Sequence, residues 1–523
     1  MIGTSLPEYV FIRISIFLLR YATPICLACV LFIIGGMGPA RALSEIGSQV
    51  AIALLLAYSI LDVLYALLIF YPYNRRLRLQ AEHPPLRPEE KRLRLFEKVL
   101  DNIPDPVQYL RGWFLGADDA HICRENVEEF LSWAFFDRRP RHLYPAERDE
   151  LGEYVHRLEQ RLGRPLNTGR GNIKSFRLTL DDVEVRYRSV IWYLIVGIVD
   201  LITHFQLSHH GLQFHAQAKP HSQSIIPSRP QSVFAKKRSI SRLSYWYRPH
   251  TAENKLPMVF LHGIGIGLWP YVSYLSDLNA GLPKDEAIGI IALEILPVSF
   301  RLTSAPLSQA DFLSEISLIV ENHGWDQFVV VGHSYGTVLA THMLKSPDLN
   351  PRIRSIVLID PVCLLLHLPD VAVNFTRRKP TRANEYLLWY FASMDPGVAH
   401  CLGRHFFWKD NLAWKEDLLE VVGQQSGEQW SRKVAVCLAE RDLIVDTRTV
   451  QQYLVNGKDW TSATKRLEPS NSTDGTMPLT PERVEADNGI EVLWFEGLDH
   501  AQVFDWRETT AQLVDLTRRC CEA

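Results

Sequence analysis

The apolar, β-branched run Phe328 to Val331 leads directly into Gly332-His333-Ser334-Tyr335-Gly336, and a helix-forming segment follows. A serine at such a junction sits on a turn so sharp that the residues two before and two after it nearly touch the flanking backbone. Those positions need little or no side chain, and Gly332 and Gly336 meet that need. No other stretch constrains the chain as much: strand, elbow serine and helix in succession put the serine at a strand end in an α/β arrangement.

Alone, Gly-x-Ser-x-Gly is a common chance match in a long chain. Here it has companions. Leu256 to Leu261 reads as a strand ending in the Gly-rich loop His262-Gly263-Ile264-Gly265-Ile266-Gly267. Val434 to Leu438 is followed by Glu440-Arg441-Asp442, and Val492 to Phe495 by Gly497-Leu498-Asp499-His500. Serine, aspartate and histidine thus occur in that order, each just past a strand. On the motifs LHGIGIG, VVVGHSYG, IVLIDPV, AERDLIV and GLDHAQVF, residues from about 230 to 523 resemble an α/β-hydrolase of the lipase and esterase type. The resemblance implies an α/β-hydrolase fold: a mainly parallel sheet, helices on both faces and a helical lid. It leaves roughly the first 225 residues unexplained.

An alcohol is a poor nucleophile near neutral pH, so Ser334 needs a base within hydrogen-bond reach. His500 is the best candidate, with Asp442 as the acid that orients it; Asp360, after an earlier strand, and Asp446 are the alternatives. Two backbone N–H groups, of Tyr335 and of Ile264 or its neighbour, are expected to form the oxyanion hole. His262 and Gly263 support that loop, and His262 and His333 suit orienting roles better than base chemistry. Acylation of Ser334, departure of an alcohol or thiol, and deacylation by water would follow. His500 and Asp505 stand in an H-x-x-x-x-D arrangement that resembles some lipid-acting hydrolases and glycerolipid acyltransferases; the plainer reading is that Asp505 begins or caps the last helix. No metal site or cofactor fingerprint is read, since the Gly-rich loop is G-x-G-x-G and not a dinucleotide motif.

At 523 residues the chain is expected to divide into two or three units. Residues 1–75 hold two apolar segments. Tyr21 to Ile34 extends back to Tyr9 across Arg13 and Arg20, and Val50 to Phe70 carries only Asp62 as a charge. The second is long enough for a bilayer core of about 30 Å. A membrane hairpin is the first reading; a signal peptide cleaved near Ala40-Arg41-Ala42, or an interfacial helix, are the others. Arg75, Arg76, Arg78, Arg87, Lys91, Arg92 and Arg94 follow the second span, whereas the loop from Gly35 to Gln49 has only Arg41, which puts the catalytic portion in the cytosol.

Residues 76–225 read as a helical region with Trp113, Phe114, Phe130, Trp133, Phe135 and Phe136 as its core. Within it, Val190 to Val199, which runs on past Asp200 to Phe205, is too short and interrupted to count as a third span and reads as a buried helix or strand, or a segment on the bilayer surface; Lys219 to Arg242 reads as a linker. Residues 226–523 form the hydrolase unit, with strands at Leu243–Tyr247, Met258–Leu261, Ile288–Ile295, Phe328–Val331, Ser355–Ile359, Val434–Leu438 and Val492–Phe495. An apolar, aromatic lid is inserted at about 364–430, and Glu468 to Asn488 is a polar surface loop. Eight cysteines without repeated spacing imply no disulfide framework. A net charge of −3 gives no argument for nucleic acid.

The expectation is a serine hydrolase held in an internal membrane such as the endoplasmic reticulum, acting on a lipid-like ester. Acyltransferase, thioesterase and peptidase chemistry on the same three residues, and a non-catalytic membrane scaffold, are the alternatives. The sequons at Asn374 and Asn471 are expected to be unused on the cytosolic face.

Overall fold

The computed structural model describes residues 2–37, 50–218, 225–235, 237–421, 431–456, 482–485 and 489–522. Ala40-Arg41-Ala42, part of the linker at 219–224 and 236, the lid's last stretch at 422–430, and most of the polar excursion with Asn471 lie outside the described residues.

Among the described residues ten strands form one sheet: β1 (Gln213–Ala216), β2 (Lys237–Arg238), β3 (Tyr245–Arg248), β4 (Met258–Leu261), β5 (Ile290–Leu293), β6 (Phe328–His333), β7 (Ile353–Ile359), β8 (Lys433–Ala439), β9 (Glu482–Glu485) and β10 (Ile490–Phe495). Their spatial order is β2-β1-β3-β5-β4-β6-β7-β8-β10-β9. From β5 to β10 the neighbours pair in parallel, while β1, β3 and β9 join antiparallel. The central strands are covered on both faces, so they read as continuous apolar runs and all seven expected strands occur. Three were not read. β1 lies before residue 226 and is four residues with a histidine, too short to show a period.

Helices separate the parallel strands, and the core has two main parts. One lies under the last helix, Arg507–Cys521, with Tyr274, Leu513 and Leu516. The other runs from the sheet through the lid into the helices Glu89–Asp101, Arg124–Phe136 and Pro145–Leu162. The aromatic residues expected as a core of 76–225 are buried, in a core shared with the lid.

The lid is therefore a roof fastened from above. Trp113 Nε1 donates to the His367 carbonyl at 3.3 Å and Trp408 Nε1 to the Ala134 carbonyl at 3.1 Å. Arg404 donates to the Leu77 carbonyl at 2.6 Å, and Arg87 pairs with Asp410 at 2.6 Å. Gly112 and Gly403 let the backbones approach: a Cβ on Gly112 would lie 2.3 Å from Pro369, and one on Gly403 2.4 Å from Val183.

Among the described residues, three helices are long and apolar enough to cross a membrane: 6–32, 52–78 and 190–209. The first two display apolar side chains outward, among them Phe11, Phe32, Leu67 and Leu68. Asp62, the acidic residue in the second, is buried and accepts hydrogen bonds from Tyr187 Oη and from the Val190 N–H, each at 2.7 Å, and from Thr23 of the first helix. A carboxylate there caps the helix Val190–His209, whose exposed N–H groups favour negative charge. That helix lies against the sheet unit on one side, held by Asp200 pairing with Arg229 and Arg301, each at 3.0 Å. Its other face carries exposed Leu194, Ile198, Ile202 and Phe205. It is thus one half-buried helix that runs unbroken through Asp200, long and apolar enough to cross a membrane, which corrects the expectation that it is too short and interrupted for a span.

Candidate active site

The sharp turn is present at the end of β6. Ser334 has φ of 50° and ψ of −119°, a backbone state L-residues avoid, and its N–H donates to the Ile359 carbonyl at 3.0 Å. Neither glycine position has room for a side chain: a Cβ on Gly336 would come within 2.0 Å of the Leu261 carbonyl oxygen, and one on Gly332 within 3.0 Å of the Gly336 oxygen.

β8 and β10 are neighbours in parallel register, with Ala439 beside Phe495, so the loops after them emerge together. Glu440 Oε2 accepts from the Gly497 N–H at 2.9 Å and ties the two loops. His500 Nε2 stands 2.8 Å from Ser334 Oγ, and His500 Nδ1 2.7 Å from Asp442 Oδ2. Asp442 Oδ1 accepts from the N–H groups of Ile444 and Val445 at 2.7 and 2.9 Å, which fixes the carboxylate. Burial opposes charge on His500, but the Asp442 carboxylate beside it, helped by Asp360 and Asp499, outweighs this and lifts the imidazole to about 9.

Asp360 makes no hydrogen bond to His500. It lies buried after β7, accepts from the N–H groups of Ala439 at 3.2 Å and Ala501 at 2.7 Å, and faces His333 Nε2 at 3.7 Å. It therefore braces the histidine loop from behind. Asp446 caps the helix Thr447–Val455 through the Thr449 N–H. Asp505 is exposed, two residues before the last helix, whose cap position is Trp506. Asp360, Asp442 and His500 are grouped closely enough for a cation, but both carboxylates are engaged by backbone N–H groups.

The Gly-rich loop reaches the elbow because Gly263 has no side chain: a Cβ there would lie 2.8 Å from Ser334 Cβ. His262 Nε2 accepts from the Ile295 N–H at 2.8 Å, so its Nδ1 carries the proton and donates to the Gly263 carbonyl at 2.7 Å. Burial, opposed by that carbonyl, holds His262 at about 4, a neutral bracket. Ile264 and Tyr335 line the same cavity as Ser334, with Tyr335 the first residue of the helix Tyr335–Leu344.

Sequence reasoning missed three supports. Tyr271 Oη bridges His333 Nδ1 at 2.8 Å and the Gly263 N–H at 3.2 Å. Asp499 Oδ1 accepts from the N–H groups of His500 and Leu443 at 2.7 and 2.9 Å, while its Oδ2 accepts from Asn384 of the lid at 2.7 Å. The third is Leu178, from the segment before β1, in the wall of the cavity. Adjacency of Asp499 to His500 was the one available signal; Tyr271 and Leu178 had none.

The family model of the alpha/beta hydrolase family matches residues 258–511. Among curated proteins the chain is similar to 1-acylglycerol-3-phosphate O-acyltransferase ABHD5 of Homo sapiens and of Sus scrofa, 29% identical over 120 residues in each case, which is 21% of this chain and 31% of the relative. The chain thus spans about a third of the length of the curated relatives it matches. Among solved structures it is similar to a membrane phospholipase A described as a bacterial virulence factor (11% identity, 64% of this chain and 94% of that one, TM-score 0.36). It is also similar to the naproxen esterase of Bacillus subtilis (14%, 62% and 97%, TM-score 0.34). Likenesses this distant carry no weight for function. The sheet order, the strand-end loops and the matched segment together make the chain a member of the α/β-hydrolase superfamily.

Proposed function

We propose that the protein is a membrane-anchored serine hydrolase that cleaves a carboxylic ester with a hydrophobic acyl group. The observation that carries this is the hydrogen-bonded line Ser334 Oγ, His500 Nε2, His500 Nδ1, Asp442 Oδ2, with spacings of 2.8 and 2.7 Å. In this reading Nε2 takes the hydroxyl proton as Oγ attacks the ester carbonyl, and Asp442 stabilises the imidazolium. The developing oxyanion meets the N–H groups of Tyr335 and Ile264, donors of a kind worth on the order of 10²–10³ each in rate. The leaving alkoxide takes the proton from Nε2, and water repeats the sequence to free the acid. A lipid-like acyl group is supported by the apolar lining of the cavity beside Ser334, with walls that include Val362, Leu366, Phe375 and Phe406. Anchoring is supported by the two outward-facing apolar helices, and a cytosolic site on an internal membrane by Arg75, Arg76 and Arg78 after the second.

One observation favours a second reading, acyl transfer: the similarity over 120 residues to a protein named as a 1-acylglycerol-3-phosphate acyltransferase. Transfer would differ only in the acceptor that attacks the acyl-serine. Purified full-length protein given a long-chain, acyl-labelled ester should release labelled free acid, and Ser334→Ala should not. Label passing to added 1-acylglycerol-3-phosphate in preference to water would replace hydrolysis by transfer. Neither release nor transfer of label above the Ser334→Ala background would contradict both.

A further inference from the structure

Three cavities lie under the roof, and one side chain borders them all. The first is the cavity at Ser334. The second runs past Phe176 and Val183 along the lid helix Pro396–His405 at Ala399 and Gly403. The third extends toward Trp113, Trp133 and Trp408. Leu178 lines each of them.

Leu178 is held firmly where it stands. Before it, the Phe176 N–H donates to the Trp113 carbonyl at 2.8 Å, and buried Arg177 pairs with Glu129 and with Asp181, the latter at 2.9 Å. After it, Thr179 Oγ1 accepts from Trp133 Nε1 at 3.0 Å and lies 2.9 Å from His83 Nε2. Both neighbours are committed to the helical region, which leaves Leu178 as a half-buried apolar side chain set into the junction. It also lies upstream of the segment matched by the family model, so this wall is contributed by the N-terminal region.

We infer that Leu178 is a septum that sets how far an acyl chain runs from Ser334, and that the N-terminal region thereby selects acyl length. The part concerning esters rests on the hydrolase reading above. Trimming a residue inside a packed core leaves an isolated void, but trimming one shared by three cavities connects them. A flexible acyl chain then gains a continuous apolar channel, whereas a larger side chain at the same point shortens the first cavity. Each methylene admitted or rejected by such a wall is worth about tenfold or more in kcat/KM.

The test uses full-length protein in nanodiscs: wild type, Leu178→Ala and Leu178→Trp, with p-nitrophenyl esters from acetate to palmitate. The preferred chain should lengthen by roughly two to four carbons in Leu178→Ala and shorten in Leu178→Trp. The same variants on a Ser334→Ala background are measured for binding of saturated fatty acids from hexanoate to stearate, by displacement of a fluorescent fatty acid. If no ester is cleaved but the binding profile shifts in the same directions, the septum stands and the ester reading falls. One length profile shared by all three variants, or binding of no chain, overturns the septum.

Discussion

The floor and the roof of this site are built in opposite ways. On the floor, Ser334, Asp442 and His500 sit in short loops after β6, β8 and β10, and their fixing partners are backbone N–H groups a few residues away or across the next strand end. In the roof, the fastening pairs are far apart in sequence: 254 residues between Trp113 and His367, 274 between Ala134 and Trp408, 327 between Leu77 and Arg404. Strand register thus places the three residues of the proposed triad, and packing between distant segments places the shape of the pocket. Floor variants should lose rate with little loss of fold; roof variants should do the reverse.

The largest effect is expected at Ser334. Ser334→Ala should lower kcat for ester hydrolysis by on the order of 10⁶ while leaving the thermal midpoint nearly unchanged. Asp442→Asn should cost roughly 10⁴ by leaving His500 in the wrong tautomer. Asp360→Asn should cost far less, because Asp360 braces the loop without touching His500. Equal losses in both variants, measured as kcat/KM, would return Asp360 to the role of orienting acid.

The pH profile sharpens the same point. His500 must be neutral to accept the serine proton, and its pKa is raised to about 9 from an ordinary 6.5. kcat/KM should therefore climb with pH up to about 9, and in Asp442→Asn the rise should move to lower pH. The same raised value means that the stabilisation from charged His500 is fully present below about 6.5 and is lost as pH rises through about 9. A midpoint that does not fall across that interval would count against the pairing.

The smallest effect is expected in the roof. Gly112→Ala pushes a methyl into Pro369 and should cost roughly 1–3 kcal/mol of stability, seen as a lower temperature of inactivation, with kcat on a short ester almost unchanged.

Much of the floor was legible in the sequence because the strands around it are buried on both faces and so read as apolar runs ending at polar loops. The elbow glycines were legible because each approach admits no side chain. Tyr271, Asn384 and Leu178 were not, since each acts through a contact that only the assembled fold creates. The helix Val190–His209 was not counted as a span because Asp200 interrupts its apolar run, and that charge is met by Arg229 and Arg301 from other segments. Packing also changes what one sequon can report: the Asn374 amide donates to the Ile444 carbonyl at 3.1 Å inside the roof, so its lack of glycan would say nothing about the side of the membrane.

The central claim is an activated serine at position 334. Full-length protein in native membranes, treated with a fluorophosphonate probe and digested, should carry the adduct on the Ser334 peptide. Labelling should disappear in Ser334→Ala and fall sharply in His500→Ala. An unlabelled wild type, with the roof loosened by detergent and the fold intact, would contradict the claim and leave a membrane scaffold built on a hydrolase fold.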